Sequence, residues 1–279
     1  MKGKNKPVRS FERLETRELL AGNVTWAVVG GSLTVNGDNA ANMLQLTEVS
    51  GDRWKITGLA GTKIDGKSSV TTGPVTHDVQ LYMNGGNDNV TVKNATVPHI
   101  LNVFGADGNN TTTLDNVKVG YGLGVYGNAG NDVVMATNVN VEAIDHIYYS
   151  VFDLGDGNNT VIANHLSAWD MRVYTGSGMD SVNVMNSTLQ PGTSSLTVNT
   201  GDGRDAVSLS KVKTDAINVD VGGGNMDSVS VVKSTAGTAT FADTDGTNGI
   251  ISGMGNDFGS QTIDPNFKYR SGDLQHDTV

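Results

Sequence analysis

The sequence predicts an all-β fold, a parallel β-helix with coils of about 22 residues and an N-terminal β-meander cap. A glycine-rich turn recurs at nearly constant spacing, and it ends at Asp88, Asn110, Asp132, Asn159, Asp180, Asp205 and Asp227. A second polar column stays in phase with it, at Asn94, Asn116, Asn138, Asn164, Asn186, Ser210 and Ser234. Alternating apolar residues flank each turn, as strands with one buried face require. Coils this short bury a core only by stacking, and parallel crossovers favour right-handed winding.

Residues 1–21 stand outside the repeat pattern and are predicted to be an export-type or disordered segment. Residues 1–20 carry six Lys or Arg against three Glu, a charge of +3, which leaves −13 for the rest of a chain whose net charge is −10. The segment has no apolar stretch of the length found in a secretory signal peptide.

The stretch from Phe11 to Ala21 reads FERLETRELLA. It resembles the N-terminal LEPR-XLL segment of large exported proteins in planctomycete-type bacteria, and the matching residues are Leu14, Glu15, Arg17, Leu19 and Leu20. The family pattern has Pro where this chain has Thr16. The resemblance implies export to the cell surface or the extracellular space.

Residues 22–66 are predicted to cap the open end of the solenoid. Val24, Trp26 and Val28 occupy alternate positions before Gly30-Gly31, and Leu33 and Val35 follow, which is typical of two strands joined by a hairpin. Terminal units of repeat proteins are atypical because one of their faces meets water.

The β-helix itself is predicted over residues 67–260, followed by an irregular C-terminal tail over 261–279 that contains Pro265. Within the β-helix, the Asn and Ser column is predicted to face inward at a corner of each coil, as a ladder of stacked side-chain amides.

Composition excludes several classes of function. The chain has no Cys, which excludes a disulfide scaffold and thiolate zinc sites. No apolar run reaches the length of a transmembrane helix. A body this acidic is unsuited to binding nucleic acid through its phosphates. The partners that remain are cell-surface polysaccharide and other surface proteins.

The turns suggest calcium at one part of the ladder. Gly85-Gly86-Asn87-Asp88 resembles the haemolysin-type (RTX) calcium-binding turn, which recurs every nine residues, whereas here one turn occurs per coil. Asp and Asn exchange freely in the first half of the column, as expected if the residue only caps a turn. From Asp180 onward the column is all Asp, and Asp202 adds a carboxylate beside Asp205. The candidate calcium ligands are therefore Asp180, Asp202, Asp205 and Asp227.

The longest spacing between turns, 27 residues from Asp132 to Asn159, supports an alternative. Parallel β-helices include pectate lyases and polysaccharide hydrolases, and the residues here that fit a carbohydrate-active site are Asp145, Tyr148, Trp169, Asp170 and Arg172. The other interpretation is a bulged coil with aromatic packing. Because no catalytic constellation is complete, the sequence favours an exported, non-catalytic structural or adhesive β-solenoid of the cell surface or extracellular matrix, with calcium as a candidate stabilising ion.

Overall fold

The structure is a computed structural model that describes residues 22–142, 149–244, 246–272 and Leu274, except for the side chains of residues 269 and 270. It is a parallel β-solenoid of about eight turns with a spacing of about 22 residues, and this confirms the predicted fold class. Each coil gives one strand to each of two long sheets. Within the described residues, no helix is long and apolar enough to cross a membrane.

The N-terminal cap is largely antiparallel, apart from a parallel pairing of its first and fifth strands. Strands β1 (Asn23–Val29) and β2 (Ser32–Asn36) form the predicted hairpin across Gly30 and Gly31. The other cap strands are β3 (Met43–Val49), β4 (Arg53–Gly58), β5 (Lys63–Ile64) and β6 (Ser69–Pro74). Strand β4 pairs antiparallel with both β3 and β6, so the antiparallel region extends to Pro74, beyond the predicted boundary at residue 66.

The first sheet contains the strands that precede each glycine-rich turn. Beyond the cap they are β7 (Val79–Tyr82), β9 (Ile100–Ala106), β11 (Gly122–Gly127), β13 (Ser150–Asp153), β15 (Met171–Tyr174), β18 (Ser195–Asn199), β20 (Ala216–Asp220), β22 (Thr235–Ala242) and β24 (Asp257–Ile263). All of them pair in parallel, and β2 of the cap joins the sheet alongside β7.

The second sheet contains the strands that follow each turn. They are β8 (Asn89–Val97), β10 (Thr111–Val119), β12 (Val133–Val141), β14 (Thr160–Ala168), β16 (Ser181–Met185), β19 (Ala206–Ser210), β21 (Ser228–Val232), β23 (Gly249–Met254) and β25 (Phe267–Gly272). The short strand β17 (Thr188–Leu189) also pairs with β14, and β3 of the cap joins alongside β8.

The core lies between the two sheets and is built from columns that keep their register. One column of the second sheet is Val90, Thr112, Val134, Val161, Val182, Val207, Val229 and Ile251. Facing it in the first sheet are Leu81, Val103, Val125, Phe152, Val173, Val198, Val219 and Phe241. All are buried, and each apolar side chain stabilises the fold by about 1.5–3 kcal/mol.

The corners differ from their prediction in orientation, and three of the seven differ in position. The corner residues, which have positive φ, are Asn94, Asn116, Asn138, His165, Asn186, Lys211 and Lys233. Each lies six residues after the last residue of its turn, so Asn164, Ser210 and Ser234 were wrongly assigned to the corner. The corner side chains are exposed rather than inward, because a left-handed residue interrupts the strand and leaves the pairing ladder at that point. Amide ladder bonds do form, from Asn116 Nδ2 to Asn94 Oδ1 and from Asn186 Nδ2 to Asn164 Oδ1, both at 2.9 Å.

The C-terminal prediction was wrong in part. Residues 261–279 were expected to be irregular, yet β24 continues to Ile263 and β25 pairs in parallel with β23. The alternation of the repeat is weaker here, which hid these strands from a pattern-based reading.

Candidate functional site

The last residues of the turns form a buried column that runs along the solenoid. We call it the turn spine, and its members are Asn42, Asp88, Asn110, Asp132, Asn159, Asp180, Asp205 and Asp227. In each coil, Oδ1 of the spine residue accepts the backbone N–H of the spine residue one coil earlier, over 2.7–3.0 Å. These bonds satisfy one buried backbone donor per coil, as a buried turn requires.

The two residue types differ at the second branch of the side chain. Nδ2 of Asn110 donates to the carbonyls of Ala106 and Gly108, four and two residues earlier, at 3.3 and 3.1 Å. Nδ2 of Asn159 makes the same two bonds within its own turn and a third to the carbonyl of Thr175 at 2.9 Å. In the Asp coils this place is taken by Oδ2, which is buried without a hydrogen-bond partner among the described residues at Asp88, Asp132, Asp180, Asp205 and Asp227.

Burial controls the ionisation of these carboxyl groups. It raises the pKa of Asp88, Asp132, Asp180 and Asp205 to about 6, against hydrogen bonds, chiefly from the preceding coil, that lower it. Burial also raises the pKa of Asp227. The cause is desolvation, which disfavours the charged form.

The spine ends in a different arrangement. Gly249 stands one coil after Asp227, and a Cβ placed there would overlap the carboxylate of Asp243. Asp243 is fully buried, and its pKa is raised by burial and by the charges of Asp227, Asp264 and Asp220. The missing side chain at Gly249 is therefore replaced by a carboxyl group from the start of the same turn.

A second ladder runs along the outside of the turns in the opposite direction. The backbone N–H groups of Asn109, Asn131, Asn158 and Met179 donate to Oδ1 of the Asn one coil earlier, over 2.7–2.9 Å. The ladder stops where the amide is replaced by exposed Met179, the coil at which the spine becomes all Asp.

The candidate calcium ligands are only partly brought together. Asp180, Asp205 and Asp227 are consecutive members of the spine, buried to 2% exposure or less. Asp202 is exposed on the outside of the turn, although its charge contributes to the raised pKa of Asp205. Within the described residues, no group of three or more His, Cys, Asp or Glu side chains is arranged to hold a metal ion. A cation at this place would have to draw on Oδ2 atoms and turn carbonyls together.

The candidate carbohydrate residues do not form one site in the described part of the chain. Asp145 and Tyr148 lie outside the described residues. Asp170 is largely buried, and its Oδ1 accepts the backbone N–H of Ser195 at 2.6 Å and the hydroxyl of Ser195 at 3.1 Å. Trp169 packs against the core near Gly192, while the guanidinium of Arg172 lies 3.6 Å from the ring centre of Tyr149. Asp170 and Trp169 thus have structural roles, Asp170 as a hydrogen-bond acceptor for Ser195 and Trp169 in packing against the core.

An aromatic stack on the outer face of the first sheet was missed by sequence reasoning. Tyr82, Phe104 and Tyr126 lie on adjacent strands with ring centroids 4.8 and 5.0 Å apart and nearly parallel planes. Beyond them a surface groove of about 270 Å³ runs over Gly122 toward Tyr149. The spacing of 22 residues between the three aromatic residues is visible in the sequence and would have identified the stack.

Comparison with known proteins adds no family assignment, since no protein-family model, curated protein or solved structure matches this chain.

Proposed function

We propose that this chain is an exported, non-catalytic structural or adhesive β-solenoid of the cell surface or extracellular matrix. The observation that carries the proposal is the parallel stacking of both sheets from coil to coil, reinforced at one edge by two hydrogen-bond ladders of opposite direction. About eight turns at about 4.8 Å per coil give a rod roughly 40 Å long. The resemblance of Phe11 to Ala21 to an export-associated segment supports a location outside the cell.

Location is tested by expressing the full chain with a C-terminal epitope in a bacterium of the type that uses such segments. We expect the epitope on intact cells or in the medium, accessible to an added protease. A matched variant in which Leu19 and Leu20 are replaced by Ser should stay inside the cell. Retention of the unmodified chain in the cytoplasm would contradict the proposal.

The non-catalytic part is tested separately, with purified full-length protein and a panel of cell-surface polysaccharides. We expect the protein either to bind these polysaccharides or not to interact with them. In neither case should reducing or unsaturated sugar ends be released. Sustained release that is lost in both Asp145→Ala and Asp170→Ala would replace the structural proposal with the carbohydrate-active alternative.

We also propose that calcium stabilises the all-Asp part of the spine. Asp180, Asp205 and Asp227 follow one another without an intervening Asn, and the charge of each later Asp raises the pKa of the one before it. Stacked carboxylates of this kind repel one another when ionised unless a cation intervenes. Thermal melting at neutral pH should show a higher Tm with calcium than with chelator.

The control for calcium is the variant in which these three residues are replaced by Asn, which keeps the shape of each side chain and removes its charge. The calcium-dependent rise in Tm should disappear in this variant and persist in Asp115→Asn, a substitution on an exposed strand position. Equal Tm values of the unmodified chain in calcium and in chelator would contradict the calcium proposal and leave the solenoid proposal standing.

A further inference from the structure

Two aspartates of the turn spine differ from the rest because each lies between two asparagines. Asp88 is stacked between Asn42 and Asn110, and Asp132 between Asn110 and Asn159. Oδ1 of Asp88 accepts the backbone N–H of Asn42 at 2.7 Å and its Nδ2 at 3.2 Å. At Oδ1 the Asp and Asn residues therefore have the same role, and the question is what Oδ2 does in place of Nδ2.

The surroundings of Oδ2 are hydrogen-bond acceptors. In the neighbouring Asn coils the second branch donates to carbonyls of the turn, and at Asn159 also to the carbonyl of Thr175. For Asp132, the carbonyl that corresponds to that of Thr175 is the carbonyl of Leu154 in the next coil, because Asp153 pairs with Tyr174. A Cβ placed on Gly127 would overlap Oδ2 of Asp132 and lie 2.6 Å from the carbonyl oxygen of Leu154, so both oxygens border the space beside Gly127.

An ionised carboxylate has only lone pairs to offer in this space, whereas a protonated one has an O–H that donates. We infer that in mildly acidic solution Asp88 and Asp132 are neutral carboxylic acids whose Oδ2–H donates to turn carbonyls as the Asn Nδ2–H does. This proton comes from solvent. It takes the place of the amide hydrogen that Nδ2 donates in a coil whose spine residue is Asn. The first half of the spine is then a continuous ladder of donors and acceptors only while both carboxyl groups are protonated.

A metal ion is the other way to stabilise an ionised carboxylate that faces carbonyl oxygens, and the site around Asp132 is too small for one. The cavity beside its carboxyl group, lined by Asn110, Gly127 and Leu154 among others, has a volume of about 10 Å³. That is close to the lower limit for one water, and calcium needs six to eight oxygen ligands. The spine neighbours of Asp88 and Asp132 are amides, which supply no second carboxylate.

Few charges face these two groups. Asp38, which accepts a hydrogen bond from Asn42 Nδ2, is the charge that acts on Asp88, and it favours the neutral form. Around Asp132 the causes are burial and hydrogen bonds from Asn110, and the titratable side chain that lines the same cavity is Tyr126. The pKa of Tyr126 is itself raised by burial and by Asp153, which keeps its hydroxyl neutral.

The ionisation equilibria agree with this geometry and give the direction of the pH effect. Burial raises the pKa of Asp88 and Asp132 to about 6 from an ordinary value of 3.8. A group whose pKa is higher in the folded state stabilises the fold fully below 3.8 and loses that contribution as the pH rises through about 6. The two groups therefore stabilise the solenoid in acid and destabilise it at neutral pH.

The test compares Tm at about pH 4.5 and about pH 7.5 for three full-length variants in the presence of chelator. Asp88→Asn with Asp132→Asn should raise Tm at the higher pH by at least about 3 °C and change it little at the lower pH. The reverse substitution, Asn110→Asp, should lower Tm at the higher pH and have little effect at the lower pH. The control Asp115→Asn, on an exposed strand position, should change neither.

A direct readout of protonation completes the experiment. At about pH 5 the infrared spectrum of the unmodified chain should contain the carbonyl band of buried carboxylic acid, and the band should be weaker in the Asp88→Asn, Asp132→Asn double variant. Absence of this difference, or a double variant that is less stable than the unmodified chain at pH 7.5, would overturn the inference. Without chelator, a calcium-dependent rise in Tm at pH 7.5 that is larger in the unmodified chain than in the double variant would likewise overturn the inference, because it would show a cation in place of the proton.

Discussion

At the scale of single residues, the fold depends on turn positions where only a few side chains fit. In the turns that end at Asn110, Asp132, Asn159, Asp180 and Asp205, the glycine two positions before the spine residue has positive φ. A Cβ placed on it would overlap the carbonyl of the equivalent glycine one coil earlier, as at Gly130 over Gly108. The coils approach one another along this line without side chains between them. The spine residue two positions later is confined to Asp or Asn because it must accept a backbone N–H inside the protein.

We predict that Gly130→Ala destabilises the solenoid by about 3 kcal/mol or more, because backbone strain and overlap add together. Its φ is +138°, a conformation that L side chains rarely adopt, and the new Cβ would overlap a backbone carbonyl that cannot rotate away. Denaturant unfolding measures the change in free energy. Gly73→Ala, where the Cβ would meet open space and φ is ordinary, should change stability little. Equal effects of the two substitutions would contradict this account.

At the scale of strands and turns, the sequence predicted the strands that recur in every coil and misplaced some of the corners. The strands on both sides of each turn were predictable because apolar alternation restarts after every turn, as at Val90 and Val182. The corner was misplaced at Asn164 because its amide suits a left-handed residue, whereas the neighbouring His165 adopts that conformation. Each corner lies six residues after the last residue of its turn, and this constant offset would have placed the corner correctly at His165. The backbone register, and not the residue type, decides which position bends.

The candidate sites were predictable only in part, for a physical reason. The spacing of Asp180, Asp205 and Asp227 placed them in one column, but spacing alone does not tell which carboxyl oxygen has a partner. Asp202 was included because it is near in sequence, and it lies outside because alternate residues of a turn point in different directions. The unpartnered Oδ2 atoms became visible only when the hydrogen bonds of Asp and Asn coils could be compared.

At the scale of the whole molecule, stability is distributed along one dimension. Each coil contacts mainly the coils on either side, so a local defect should spread only to its neighbours. The cap is the part that differs, because its antiparallel strands cover the end of the core. Trp54 in β4 is among its largest fully buried side chains, and its backbone N–H donates to the hydroxyl of Thr72 at 2.9 Å.

We predict that Trp54→Ala opens the cap and leaves the distant coils folded. Removing a buried Trp costs about 3–5 kcal/mol, and the loss falls on β1 to β6 because the coils beyond them have their own neighbours. Hydrogen exchange followed by mass spectrometry should show faster exchange over residues 22–74 and unchanged protection over residues 195–232. Lys55→Ala, an exposed position in the same strand, serves as the control and should leave both regions protected. Loss of protection along the whole rod would instead show that the solenoid unfolds as a single cooperative unit whose coils depend on the cap.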